Sequence, residues 1–331
     1  QRGTSFTSIG GTAGIYSLDR MRYGFTMNSG RLTITQSTDT PNGFANSLKV
    51  DITTAESSLN SASGAAIGQF IEGQDVQQFK KGTSDAERYT LSFHVKSNIT
   101  GTYIVELFDQ DNTRQVSKSY TIDSANTWEK KTLTFPADTT GAFDDDNATS
   151  LIIQWFLASG TNTAGSSATL NTSWASSTDA NRAVGQANLF SSTDNEWYIT
   201  GVQLEVGSTA TPFEYRSFGD ELLLCKRYYY KLGGDTAYQT VNTVVNFTTG
   251  SMLGHYQHPV QMRGPASITK TGSWSTLGGD TTIGQTVSAD QNGPNTIQLG
   301  FSGGSGGTSG RASTLRWSND TSASLQFNAE L

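Results

Sequence analysis

The chain is predicted to be all-β: a jelly-roll-like β-sandwich over residues 1–215, a connector over 216–234 and a smaller C-terminal β domain over 235–331. Three observations predict it. Apolar and polar residues alternate in short runs from residue 15 to about 206, the period-two pattern of half-buried strands. Clusters of Gly, Asn, Asp and Ser separate those runs, and these residue types close turns. Neither a repeat of about 20–50 residues nor a sustained heptad is present, so a solenoid or coiled coil is not expected.

In chain order, the first clear strands are expected at 31–35 and 47–53. The next, at 89–96, shows the logic. Tyr89, Leu91, Phe93 and Val95 point one way and Thr90, Ser92 and His94 the other, so one face enters the core and the other stays polar. Strands follow at 102–108, 131–135, 151–157 and 197–206, most with β-branched and aromatic residues on one face. Trp155 shares its face with Leu151, Ile153 and Leu157, which assigns it to the core. A Ser/Thr/Asn/Ala-rich loop at 160–187 is the longest decoration on this framework. Beyond Pro212 the pattern changes. Residues 220–231 read as a helical or mixed connector, or else as one long strand ending in Tyr228-Tyr229-Tyr230. Within it, Cys225 follows three leucines and reads as a small buried apolar side chain. A second β pattern has strands near 240–248, 268–273, 296–301 and 324–329. Its turns are glycine-rich, at Leu277-Gly278-Gly279-Asp280 and at 302–307.

Composition narrows the function. The 331 residues suffice for roughly two domains. Only 15% are charged, against about 25% in average proteins, so the surface is largely neutral and polar. A net charge of −7 removes the electrostatic attraction behind nucleic-acid binding and makes an anionic membrane an equally poor partner. No stretch approaches the roughly 18 apolar residues that cross a bilayer, so membrane insertion is not expected. The opening Gln1-Arg2-Gly3 lacks the charged-then-apolar plan of a signal peptide and reads as a mature or trimmed start. The single cysteine allows no internal disulfide.

Catalytic signatures are missing. Gly303-Gly304-Ser305-Gly306-Gly307 matches the spacing of a nucleophile elbow, but no histidine follows it, the last being His258. Dinucleotide, P-loop and HExxH motifs do not occur, so no enzyme activity, catalytic residue or cofactor is expected. Glu106 and Glu205 lie on expected strands, with nothing to mark them as a catalytic pair. His255 and His258 could share a face, yet zinc needs three or four ligands. Asp109, Asp111, Asp144 and Asp146, in two acidic loops, offer the hard oxygens calcium takes and stand as weak calcium candidates, although neither loop is an EF-hand. What remains is tryptophan over a neutral polar surface, the combination of apolar wall and hydrogen-bonding groups that suits a sugar ring. Trp174 lies in the polar loop Thr172-Ser173-Trp174-Ala175 without apolar company and is the first candidate for an exposed platform. His94, on the polar face of its strand, and Trp128 complete the glycan-binding candidates.

Residues 198–230 carry a longer signal. Tyr198-Ile199-Thr200-Gly201-Val202-Gln203-Leu204-Glu205-Val206-Gly207, continued by Ala210-Thr211-Pro212-Phe213-Glu214-Tyr215-Arg216-Ser217-Phe218 and by 221–230, resembles a segment common in bacteriophage tail-fibre and related virion proteins. Arg88-Tyr89-Thr90-Leu91-Ser92-Phe93, Thr127-Trp128-Glu129-Lys130, Pro259-Val260-Gln261-Met262-Arg263-Gly264-Pro265 and Phe327-Asn328-Ala329-Glu330-Leu331 fit the same pattern. The resemblance implies a carbohydrate-binding-module-like jelly roll leading into a short C-terminal β domain. It further implies a homotrimeric protein on the extracellular surface of a virion, with other virion proteins and host cell-surface polysaccharide as partners. It transfers no catalytic residue. A capsid decoration protein, a fibre adaptor without glycan affinity and a bacterial secreted carbohydrate-binding module are the alternatives.

Overall fold

In the computed structural model the described residues are 2–277 and 286–331; the expected turn at Gly278-Gly279-Asp280 lies outside them. The chain divides into two compact units, Gly3–Tyr215 and Arg216–Glu330.

The first unit is an all-β, jelly-roll-like sandwich. Along the chain its strands are β1 (Ser5–Ile9), β2 (Ile15–Tyr16), β3 (Arg22–Gly24), β4 (Arg31–Ser37), β5 (Ser47–Thr54), β6 (Gly64–Glu72) and β7 (Tyr89–Ser97). Then come β8 (Gly101–Asp109), β9 (Arg114–Ile122), β10 (Glu129–Phe135), β11 (Thr149–Ser159), β12 (Ala175–Ser176) and β13 (Glu196–Val206). They form one sheet in the order β1-β4-β5-β13-β7-β10 and a second in the order β12-β9-β8-β11-β6-β3-β2. The inward residues expected on β7 are all in the core, and Phe93 meets Trp155 and Tyr120 edge-on at 5.6 and 5.2 Å. Such pairs add about 0.5–1.5 kcal/mol each beyond the area they bury.

Two interior strands of the second sheet, β6 and β9, escape a reading by alternation, because much of their outer face is covered as well, although Ser119 and Thr121 of β9 stay exposed. Gly64 to Gly68 of β6 are all buried, and on β9 the polar Gln115 and Ser117 are as inaccessible as Val116. The cover is the polar loop 160–187. It is stitched down by Ser117, whose N–H donates to the Asn171 carbonyl and whose hydroxyl donates to the Arg182 carbonyl. Ala183 of the loop packs on Ala66, Ile104 and Phe156.

In the second unit a helix, α1 (Phe218–Lys226), precedes β14 (Tyr229–Gly233), β15 (Thr240–Asn246), β16 (Met252–Gln257), β17 (Ser267–Thr271) and β18 (Trp274–Leu277). Next are β19 (Thr286–Asp290), β20 (Thr296–Ser302), β21 (Ala312–Trp317) and β22 (Ser324–Asn328). They form the sheets β14-β22-β17 and β18-β21-β15-β16-β20-β19. Both readings of residues 220–231 therefore hold in part. Ser217 starts the helix by accepting a hydrogen bond from the Asp220 N–H, with Asp220 and Glu221 in the first turn and Lys226 in the last. The tyrosine run then becomes a strand, paired with β22 from Tyr229 opposite Asn328 to Gly233 opposite Ser324. The residues read as a connector thus supply a member of the sheet. Cys225 corrects the expectation of a core position: it is half-buried, and no residue of α1 is fully buried.

The core of this unit stacks Tyr230 on Phe327 at 4.5 Å, with His258 edge-on to Phe327 at 5.4 Å and its Nδ1 2.6 Å from the Tyr230 hydroxyl. Burial holds the His258 imidazole below its ordinary value of 6.5. The unfolded chain therefore binds a proton that the fold resists, and stability is lost as pH falls through and below about 6.5. On acidification from about pH 7.5 to about pH 5, hydrogen-exchange protection of β14 and β22 should fall further in the native protein than in His258→Gln. Equal losses in the two would remove His258 as the cause. Among the described residues no helix is long and apolar enough to cross a membrane.

Candidate functional site

The two outer faces of the sandwich differ. That of the seven-stranded sheet is occupied by its own loop, where Glu106, fully buried, accepts from Arg182 at 3.0 and 2.8 Å and from the Gln154 amide. That of the six-stranded sheet is covered in part, by Phe44 of the β4–β5 connection and by residues 207–215 after β13, so that Thr90, Ser92 and Lys96 of β7 are buried and His94 is half-buried. It presents the outward residues of β7, β10, β13 and β5, in a register that puts Lys49 beside Tyr198, Tyr198 beside Lys96, and His94 between Thr200 and Lys130.

Two aromatic groups sit on this face. In the first, Trp128, half-buried just ahead of β10, meets Tyr198 edge-on at 6.0 Å. The Lys96 ammonium lies 4.2 Å from the Tyr198 ring centre and 5.6 Å from that of Trp128. Asp39 ties the group together, pairing with Lys96 and accepting from the Trp128 indole N–H at 2.9 Å. Its bonds to Lys96 and Trp128 hold the Asp39 carboxyl below the usual range. Glu196 binds the Tyr198 hydroxyl at 2.6 Å and Lys49 at 2.5 Å. Partial burial works against the Lys49 charge, yet Glu196 and the neighbouring carboxylate push its pKa up to about 12. Every charge in this group has a partner, so the patch is aromatic, hydrogen-bonding and close to neutral.

The second group is built on a β-bulge between Thr200 and Gln203. There Gly201 has φ +61°, and a Cβ on it would lie 2.6 Å from the Phe44 ring and 3.1 Å from His94 Nδ1. Glycine thus lets Phe44 lie on the sheet beside His94, with ring centres 5.2 Å apart. Phe213 and Tyr215 close over Phe44 at 5.1 and 5.7 Å, and Tyr215 is 64% exposed. Gln203 holds this return segment by accepting from the Glu214 N–H at 2.8 Å. Burial, with Lys130 beside it, holds the His94 imidazole below its ordinary value, and its buried Nδ1 has no hydrogen-bond partner.

Of the sequence candidates, the fold brings His94 and Trp128 to this one face and places Trp174 elsewhere. Trp174 is not the exposed platform expected. Its indole N–H donates to the Pro136 carbonyl at 3.0 Å, and its ring packs against the core beside Tyr89. The Lys81 ammonium lies 5.1 Å from the ring centre. The polar sequence around Trp174 concealed a tertiary partner. Phe44, Phe213 and Tyr215 were missed because each lies in a connection rather than in an alternating run. The Pro212 turn ahead of Phe213-Glu214-Tyr215, which sets two rings on one side, was the available signal.

The acidic candidates do not converge. Asp109 is fully buried against the Lys81 ammonium at 2.5 Å, Asp111 accepts from the Asp144 N–H at 3.0 Å, and Asp146 accepts from the Ala148 N–H at 2.8 Å. Among the described residues, no three His, Cys, Asp or Glu side chains gather as a metal site would require. The cation facing Asp109 is a lysine, which corrects its reading as a calcium ligand. His255 is exposed while His258 is buried, so these two do not share a site.

No protein-family model and no curated protein matches the chain. Among solved structures, it is similar to the enzymatically active domain of tailspike protein 4 of bacteriophage CBA120. The identity is 17% over 60% of this chain, with a TM-score of 0.32, and the match spans 21% of the tailspike chain. It is similar also to the family 11 carbohydrate-binding module of a cellulosomal cellulase from Clostridium thermocellum, at 10% identity and TM-score 0.31, over 61% of this chain and 94% of that one. A xylan-binding domain of carbohydrate-binding family 22 matches at 14% identity and TM-score 0.29, over 63% and 98%.

Proposed function

We propose that this chain is a glycan-binding protein of a bacteriophage surface, a tail fibre or equivalent appendage, that recognises host polysaccharide through the outer face of the six-stranded sheet. One observation carries the glycan reading: the outer face of the six-stranded sheet holds two aromatic groups, around Trp128 and Phe44, set among paired carboxylates, amines and hydroxyls. A sugar ring has an apolar face that packs on aromatic side chains and hydroxyls that bond the polar groups beside them. The resemblance of residues 198–230 to virion segments supports the placement on a phage. The chain acts as a binder, with no residue assigned a catalytic role.

Trp128→Ala should lower binding to intact host cells and to their extracted surface polysaccharide by about tenfold or more, equal to about 1.4 kcal/mol, with the fold retained. Undiminished binding by a folded Trp128→Ala protein would remove this face from the reading. A native chain that bound no bacterial polysaccharide in a broad array would overturn the reading itself. The second reading, a virion component without glycan affinity, is favoured by the exposed Phe218, Leu223 and Leu224 of α1, an apolar surface suited to another virion protein.

A further inference from the structure

We propose that a second, end-on saccharide subsite exists in the first unit, in a cavity of about 400 Å³ between the β6–β7 and β10–β11 connections. The inference rests on the glycan reading for its class of ligand, and on separate residues for its location. Val76 and Phe143, both largely buried, form an apolar floor, and Gln77, Lys80, Thr83 and Asp85 stand around it.

The walls are held rigidly from behind. The Lys81 ammonium donates to the carbonyls of Thr140 and Gly141 at 3.0 and 2.6 Å, anchoring the loop that carries Ala142 and Phe143. The Gln77 amide donates to the carbonyls of Gly73 and Asp144 at 2.9 and 3.1 Å, bridging the two connections. A Cβ at Gly73 would lie 1.9 Å from the Asp144 carbonyl oxygen, and one at Gly82 2.4 Å from the Ala142 nitrogen, so the backbones touch on both sides of the cavity. A pocket assembled this way loses little conformational entropy when a ligand enters.

Its chemistry selects the ligand. Lys81 is neutralised by Asp109 and Asp138, and the exposed Lys80 is balanced by Glu87 at 3.2 Å with Asp85 also in the lining, so the cavity and its partners carry no net positive charge to favour an anionic ligand. The Asp85 carboxylate and the Gln77 amide oxygen accept hydrogen bonds, as vicinal hydroxyls require. With Val76 and Phe143 at the base, this is the set that fits one neutral sugar ring rather than an extended chain.

The test titrates the isotope-labelled full chain with glucose, galactose, mannose, rhamnose and N-acetylglucosamine in turn, following backbone amide shifts. Saturable shifts at Gln77, Thr83, Asp85 and Phe143 with at least one sugar are expected. They should be retained in Trp128→Ala and weakened by about tenfold or more in Asp85→Ala, whose replaced side chain is exposed. Shifts confined to His94, Trp128 and Tyr198 would overturn this subsite and leave the sheet-face reading standing. Shifts at the cavity unaffected by Asp85→Ala, or no saturable shift anywhere, would also overturn it.

Discussion

Replacing Lys81 with methionine should lower the unfolding free energy of the first unit by about 3–5 kcal/mol, the range found when one side of a buried ion pair is removed. The Lys81 side chain is inaccessible, and its ammonium lies 2.5 Å from Asp109 and 3.1 Å from Asp138. Asp138 is also bound by Arg114 at 2.8 and 2.9 Å, whereas Asp109 would keep only Asn112. Methionine conserves most of the volume, so the loss would report the stranded carboxylate, with the Thr140 and Gly141 carbonyls that lose their donor, rather than a cavity. Urea unfolding followed by tryptophan fluorescence measures it. Lys81→Met combined with Asp109→Asn should regain a large part of the loss, because the charge needing the ammonium is gone while an acceptor for Asn112 remains. A single-variant loss below about 1 kcal/mol, typical of an exposed pair, would show that the charges are solvated.

Arg182→Ala should cost a similar amount, about 3–5 kcal/mol, and should loosen a defined segment. Arg182 is the charged partner of the fully buried Glu106, which would keep only Gln154. The loop 160–187 covers the seven-stranded sheet through this pair, through the Gln186 side chain accepting from the Ile104 N–H at 2.8 Å, and through the Ala187 N–H donating to the Thr102 carbonyl at 2.9 Å. Hydrogen exchange should accelerate at Ala183 and at Ile104 while β7 and β13 keep their protection. Arg182→Ala with Glu106→Gln should be more stable than Arg182→Ala alone. Uniform acceleration across both sheets would mean that the loop is part of the global fold rather than a cover on one face.

Much of the framework was legible because a strand with apolar residues on its inner side and polar ones on its outer side writes its orientation into the sequence. The alternation at β7 placed Tyr89, Leu91, Phe93 and Val95 inside and His94 outside, and the same logic put Trp155 in the core. It failed at β6 and β9, where a second layer covers much of the outer face and polar residues such as Gln115 and Ser117 are buried by hydrogen bonds instead. In α1 the length of the apolar run overstated burial, since three consecutive leucines on a helix point in different directions and cannot all meet one core.

The sequence by itself determined that this chain is all-β, where most strands of the sandwich run, and that His94 faces away from the core. Those properties follow from local periodicity. Only the tertiary structure decided which segments cover each outer face, that Trp174 packs inward while Phe44, Phe213 and Tyr215 gather around His94, and that a lysine rather than a metal ion faces Asp109. Each of these depends on pairing segments distant in the chain, as when residues 160–187 close over β8, or Lys81 reaches Asp109 and Asp138. Local pattern shows that a side chain needs a partner; the fold chooses which one.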